Sequence, residues 1–227
     1  MRKGWLDFRA AAWRYGRMAD LTQALALTGP DATLKLYRDW AAGYDGGFAQ
    51  DMDYRLPAHV AGAFVAAGGA GPVLDVGAGT GLLAQALIDM GFQGAIDGLD
   101  FSAEMLAVAA GKGVYRNLVR ADVTTTLPLE RIYNGVTSSG TFTAGHVGPV
   151  AFARMLAVAL PGAVFALSVN QRVWKALGFD RALSALEAAG RITALQLIEV
   201  EVYGQAALAL DPDHAEDKAW IVLFRAV

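Results

Sequence analysis

The chain has 227 residues, 55% of them hydrophobic, and a mean hydropathy of +0.34, which suits a globular protein with a large core and one domain or at most two. With 19 basic and 22 acidic residues its formal net charge is -3, so no global field draws it to nucleic acid or to an anionic membrane, and small or neutral partners are expected. There is no cysteine, which excludes disulfides, zinc-thiolate sites and a cysteine nucleophile and fits a reducing compartment, the cytoplasm.

The start, MRKGWLDFRAAAWRYGRM, is charged throughout and lacks the apolar core and cleavage site of a secretion signal. Over residues 1–28, Trp5, Phe8, Trp13, Met18, Leu21 and Leu25 recur at roughly helical intervals, the pattern of an amphipathic helix resting on the body or on a second subunit. Gly29-Pro30 breaks the chain, Asp31 is placed to cap a helix through ATLKLYRDWAA, and Gly43 is placed to stop it. A further helix is expected over about Pro57 to Ala67.

After Gly71-Pro72 short apolar runs alternate with helical segments. Strands are expected at Val73 to Val76, Ala95 to Leu99, Val114 to Arg120, Gly135 to Ser138 and Ala163 to Val169, and helices at Leu82 to Met90, Ala103 to Ala110, Val150 to Leu160 and Arg181 to Ala189. This rhythm predicts an α/β fold, a parallel sheet wound right-handed and covered on both faces. The tail differs: RITALQLIEVEVYG and AWIVLFRAV are strands with no helical pattern between them, so they must pair antiparallel. The longest apolar passage, from Met155, is cut by Pro161 and Gly162 and is shorter than the ~20 residues that span a bilayer, so no membrane partner is expected.

The stretch VLDVGAGTGLLAQAL joins the first strand to a helix through Gly77, Gly79 and Gly81. A dinucleotide fingerprint needs a small residue where Leu82 stands, and no G-K-[ST] follows for a phosphate loop. The close-approach turn is kept while the pyrophosphate pattern is lost. Asp100 ends the next strand, nineteen residues after Gly81, where a carboxylate accepts both hydroxyls of a ribose. Asp122 follows the third strand, where it can accept from an exocyclic amine. Together with Asp75 these carboxylates lie at the carboxyl ends of neighbouring strands, where open α/β sheets bind ligands. Each has a second reading: Asp75 as a cap of the turn, Asp100 as a cap of the helix near Ser102, Asp122 as a loop residue before Thr124. Their occurrence in this order describes an adenosyl ligand without phosphates.

On these residues the chain resembles the class I S-adenosylmethionine-dependent methyltransferases: VLDVGAGTG and GLDFSAEML look like their first motif and the following acidic loop. LYRDWAAGYD with SSGTFTAGHVGP is similar to the group that includes the Williams-Beuren syndrome region methyltransferase and its bacterial relatives. The resemblance implies a Rossmann-like seven-stranded, mostly parallel sheet with helices on both faces and the last two strands antiparallel. It implies a methyltransferase domain over 37–227, behind an N-terminal helical extension over 1–36. For the cofactor S-adenosyl-L-methionine it implies that Asp75, Gly77, Ala78 and Gly79 face the methionine end and that Asp100 holds the ribose. Phe101 and Met105 would flank the adenine, and Asp122 with the Val123 backbone would read its edge. Ser138 and Ser139 would lie beside the sulfur, with Tyr44, Trp40 and Tyr54 in the segment that covers the ligand, packing being the alternative for these aromatics. Asn134 departs from the aspartate common in relatives and reads as structural.

Methyl transfer from a sulfonium needs positioning more than acid catalysis, since its leaving group is neutral. For a hydroxyl or carbon acid acceptor, His146 is the candidate base by its place after the fourth strand, its alternative being to orient the loop before Val150. No metal-site spacing of histidines and carboxylates occurs, so a metal-dependent transfer is disfavoured. Trp40, Tyr44, Phe48 and Tyr54 suggest a closed pocket for a small-molecule methyl acceptor. The competing readings are a non-catalytic S-adenosyl-ligand binder and a nicotinamide-dependent oxidoreductase. Neither the acceptor nor the subunit count can be read from the sequence.

Overall fold

The computed structural model describes residues 47, 49–143 and 147–227. The N-terminal extension, Trp40, Tyr44, Phe48 and His146 lie outside the described residues. Helix α1 (Leu56–Ala66) has Pro57 in its first turn, where the missing N–H costs nothing. It turns Leu56, Val60, Ala61 and Phe64 inward. Then follow β1 (Val73–Val76), α2 (Leu82–Asp89), β2 (Ile96–Asp100), α3 (Ala103–Gly111), β3 (Asn117–Arg120) and β4 (Tyr133–Phe142). The chain closes with α4 (Val150–Val158), β5 (Ala159–Asn170), α5 (Gln171–Trp174), α6 (Phe179–Ala188), β6 (Ile192–Glu201), α7 (Ala207–Leu210) and β7 (Lys218–Ala226).

The seven strands form one sheet in the order β3-β2-β1-β4-β5-β7-β6. Pairs among β1 to β5 are parallel, and β7 runs antiparallel to both β5 and β6. The expected antiparallel pairing of the last two strands is therefore present, and it makes β7 the one reversed strand. Alternation along each strand divides the core in two. Leu74, Val76, Val136 and Phe165 join Phe152, Met155 and Phe179 of α4 and α6 on one face. Val73, Val164, Ala166 and Ile221 join Val60, Phe64, Leu83 and Leu87 of α1 and α2 on the other. Phe64 lies so close over β4 that a Cβ at Gly135 would run into its ring.

Several limits differ from the sequence reading, for physical reasons. β4 and β5 run longer than their apolar centres because their ladders extend beyond them, Tyr133 pairing with Ala159 and Asn170 with Ala219 of β7. β3 is shorter than the run from Val114, because its ladder with β2 spans only Asn117 to Arg120. Tyr115 is thereby left outside the strand. Asn134 is structural as read: its Nδ2 donates to the Gly71 carbonyl at 2.8 Å, a bond that an aspartate could not give. Among the described residues no helix is long and apolar enough to cross a membrane.

Candidate active site

The carboxyl ends of β1, β2 and β4 meet in the middle of the sheet, because the strand order places β2 and β4 on either side of β1. The loop after β1 is tied to β2. The amides of Gly77 and Ala78 both donate to the Leu99 carbonyl, at 2.8 and 3.0 Å, and Gly81 donates back to Ala78 at 2.8 Å. The Gly79 amide donates to Asp100 Oδ2 at 2.8 Å. Four loop amides are thus committed to protein acceptors, so the loop is not the nest of open N–H groups that cradles phosphate.

The three glycines prove unequal. All have positive φ, at 69°, 54° and 92° for Gly77, Gly79 and Gly81. A Cβ on Gly77 would run into Thr141 Oγ1, and one on Gly81 would lie 3.0 Å from the Tyr115 ring. At Gly79 the nearest atom is the Gly77 carbonyl oxygen, 4.0 Å away, so Gly79 alone of the three faces open space.

Asp75 is fully buried on β1, on the face that α1 and α2 cover. It does not cap the turn: its Oδ2 accepts the Tyr115 hydroxyl at 2.7 Å, and its Oδ1 has no hydrogen-bond partner. Burial pushes its carboxyl up to about 7, the Tyr115 bond opposes this, and the charge of Asp100 adds to it. Asp100 accepts from the Ser102 amide through Oδ1, also at 2.8 Å, while Ser102 Oγ caps α3 by accepting from Met105 N. Burial raises the Asp100 carboxyl, against hydrogen bonds from the Ser102, Gly79 and Phe101 backbones. Three backbone donors leave the carboxylate one lone pair for a ligand hydroxyl.

Around these lie the remaining expected residues. Phe101 is exposed just past the end of β2, while Ala78, Met105 and Val123 are buried. Asp122 Oδ1 takes both the amide and the hydroxyl of Thr124, at 2.8 and 2.7 Å, so one oxygen serves the turn as the alternative reading had it. Ser138 and Ser139 lie within β4, not after it. Ser138 is buried and its hydroxyl donates to the Val76 carbonyl at 2.7 Å, fastening β4 to β1. Pairing with β5 shifts between Ser138 and Phe142, so Ser139, Gly140 and Thr141 leave the ladder beside the glycine loop. The Tyr54 hydroxyl reaches this bulge, where a Cβ on Gly140 would run into it, and its ring leans on Tyr203 at 5.8 Å.

Tyr115, Thr137 and Thr141 were missed in the sequence. The available signal was Gly98, a glycine inside a strand, which marks a close approach: a Cβ there would lie 2.9 Å from the Tyr115 ring. Among the described residues no group of histidines and carboxylates could hold a metal ion.

Residues 73–162, which carry the glycine loop, Asp100, Asp122 and all of β4, match the family model of a methyltransferase domain. Comparison with curated proteins finds no match. Among solved structures, one described as a putative S-adenosyl-L-methionine-dependent methyltransferase from Methanococcus maripaludis aligns with a TM-score of 0.55 and 19% identity, covering 86% of this chain and 93% of that one. A structure described by the conversion of a disulfide bond into a thioacetal group during echinomycin biosynthesis aligns at 0.52 and 23%, over 73% and 80%. The cyclase SpnF aligns at 0.56 and 17%, over 76% and 80%. At these identities the likenesses establish the Rossmann-like fold.

Proposed function

We propose that the protein transfers the methyl group of S-adenosylmethionine in line to a small-molecule acceptor. The observation that carries this reading is the state of the glycine loop: its amides are already bonded within the protein, one of them to Asp100, and Asp75 lies on the strand that leads into it. Such a loop disfavours a pyrophosphate, as of a nicotinamide cofactor, and favours a ligand that is cationic at one end and offers hydroxyls at the other. Asp100, with a lone pair to spare, accepts from the ribose hydroxyls, Asp122 and the Val123 backbone read the purine edge, and Phe101 and Met105 flank it. Gly79, with open space over it, lets the ligand lie against the backbone.

Bound there, the sulfonium supplies an activated methyl group and leaves as a neutral thioether. The chain's task is then to hold the acceptor on the sulfur–methyl axis in a dry site, worth up to ~7 to 11 kcal/mol in well-oriented reactions. Tyr54 and the bulge of β4 stand where the acceptor would approach. Trp40 and Tyr44 are proposed to close over it, and His146 to take a proton where the acceptor is a hydroxyl or carbon acid. The echinomycin-biosynthesis neighbour supports a small acceptor. The subgroup resembling the Williams-Beuren region methyltransferase belongs to the same proposal.

Melting in excess ligand tests the cofactor. A ligand at ~100 times its dissociation constant adds about 2.7 kcal/mol to native stability. S-adenosylmethionine and S-adenosylhomocysteine should each raise the melting temperature, NAD should not, and Asp100→Ala should remove most of the gain. A neighbour named for a cyclisation favours a second reading, in which this fold serves without transferring a methyl group. Incubation with methyl-labelled cofactor and a metabolite panel decides between them: binding with no labelled product would favour the second.

A further inference from the structure

Tyr115 lies at the end of the turn between α3 and β3, yet its hydroxyl reaches Asp75 on β1, two strands away in the sheet. The path is kept clear by two glycines: Gly98 on β2 beneath the ring, and Gly81 at the start of α2 beside it. Gly98 is the register partner of Asp75, and Thr137 is its partner on the other side, so side-chain positions in this row share one face. Thr137 is fully buried, and its Oγ1, like Asp75 Oδ1, has no hydrogen-bond partner. Two unpartnered buried polar atoms at one register position, under an open glycine turn, are a polar slot awaiting a donor.

We propose that Tyr115 is a positioning residue for cofactor binding: its hydroxyl holds Asp75 Oδ2 so that Oδ1, with Thr137 at its side, is presented as a carboxylate to the ammonium end of the ligand. This rests on the function proposed above. Burial and Asp75 raise the Tyr115 phenol above its ordinary range, so it stays a donor across the pH range of interest. Asp75, pushed up to about 7 by burial, gains the ionised form from that bond. The other ionisable groups nearby among the described residues are Asp100, whose charge opposes the ionisation of Asp75, and Lys112, which ends α3 beside Gly81. The first turn of α2 and the neighbouring part of β4 bring no charge. His59 interacts with Arg55 and Glu201, and His214 pairs with Asp211.

Binding should therefore strengthen as pH rises toward about 7, and loss of the phenol should move the midpoint upward. The test is calorimetric titration between pH 5.5 and 7.5, below the ordinary range of an α-amine. S-adenosylmethionine, S-adenosylhomocysteine, which keeps the ammonium but has no sulfonium, and methylthioadenosine, which has neither, serve as ligands. For wild type, the first two should weaken by up to about tenfold per pH unit on acidification, and methylthioadenosine should stay flat. Tyr115→Phe should weaken the first two about five- to tenfold at pH 7, less at higher pH, and leave methylthioadenosine unchanged. Asp75→Asn, a neutral isostere, should bind them weakly with no pH dependence, and melting curves of both variants check their folding. Tight binding with a flat profile, or Tyr115→Phe weakening all three ligands alike, would overturn the positioning role and leave the cofactor assignment standing. Failure of wild type to bind any of the three would overturn both.

Discussion

Asp97 and Asp75 lie on adjacent strands of one sheet, both almost fully enclosed, and their carboxylates are handled in opposite ways. Asp97 accepts from Arg116 Nε at 3.0 Å and Nη2 at 2.5 Å, from Asn117 at 3.0 Å and from the Tyr133 hydroxyl at 2.9 Å. Its burial would raise its carboxyl, but the hydrogen bonds from Arg116, Tyr133 and Asn117 and the charge of Arg116 outweigh that and hold it below the usual range. Asp75 has the one bond from Tyr115, an unpartnered oxygen, and a carboxyl raised to about 7. One acid is completed by the protein and serves the scaffold. The other is left incomplete at the ligand end of the sheet, and incompleteness in a buried position marks where an outside group belongs.

Four variants would break or sharpen this contrast. Asp97→Ala should be the most damaging, lowering unfolding free energy in urea by roughly 2 to 3 kcal/mol, because it strands the buried Tyr133 hydroxyl and takes the acceptor from Asn117 and the exposed Arg116. Asp75→Asn should do the reverse in the ligand-free protein. The wild-type acid is ionised in the unfolded chain from about pH 4 but in the native state only near 7, so native stability falls as pH rises through that interval. The amide removes this loss, and the variant should be more stable at pH 8 by on the order of 2 kcal/mol, with no gain at pH 4. Equal stability of the two proteins at pH 8 would contradict the raised carboxyl. Asp97 acts at the other end of the scale: its lowered carboxyl contributes stability above about pH 4 that is lost as acid protonates it, so Asp97→Ala should flatten the acid limb of the profile.

Gly98→Ala tests the approach of Tyr115. Its Cβ would sit 2.7 Å from Leu118 Cδ2 and 2.9 Å from the Tyr115 ring, a crowding expected to lower stability by about 1 to 2 kcal/mol. It should also weaken S-adenosylhomocysteine binding in the manner of Tyr115→Phe. The smallest effect is expected from Asn134→Asp, which puts an acceptor against the Gly71 carbonyl and should lower the urea midpoint by an amount equivalent to about 1 kcal/mol.

Much of this molecule was legible in its sequence. Short apolar runs followed by helical runs specify parallel strands with crossovers, and β1 and α3 begin at the residues that the pattern indicated. The places of Asp75, Asp100 and Asp122 at or near strand ends were legible because strand ends are marked by where apolar runs stop. Tyr115 was not, since the apolar run from Val114 reads as a strand that would have kept it in the ladder. Ser138 was legible as a neighbour of the glycine loop, while the direction of its hydroxyl, onto Val76, was not.

The sequence by itself determined the alternation of elements, the glycine turn and the carboxylates at strand ends, because these follow from local periodicity and backbone freedom. The tertiary structure alone decided which acid is completed and which is left open. That depends on hydrogen bonds from Tyr115, Arg116 and Tyr133, residues 19 to 40 positions away in the chain, and such distant pairings are fixed only when strand order and register bring β1, β2 and β4 side by side.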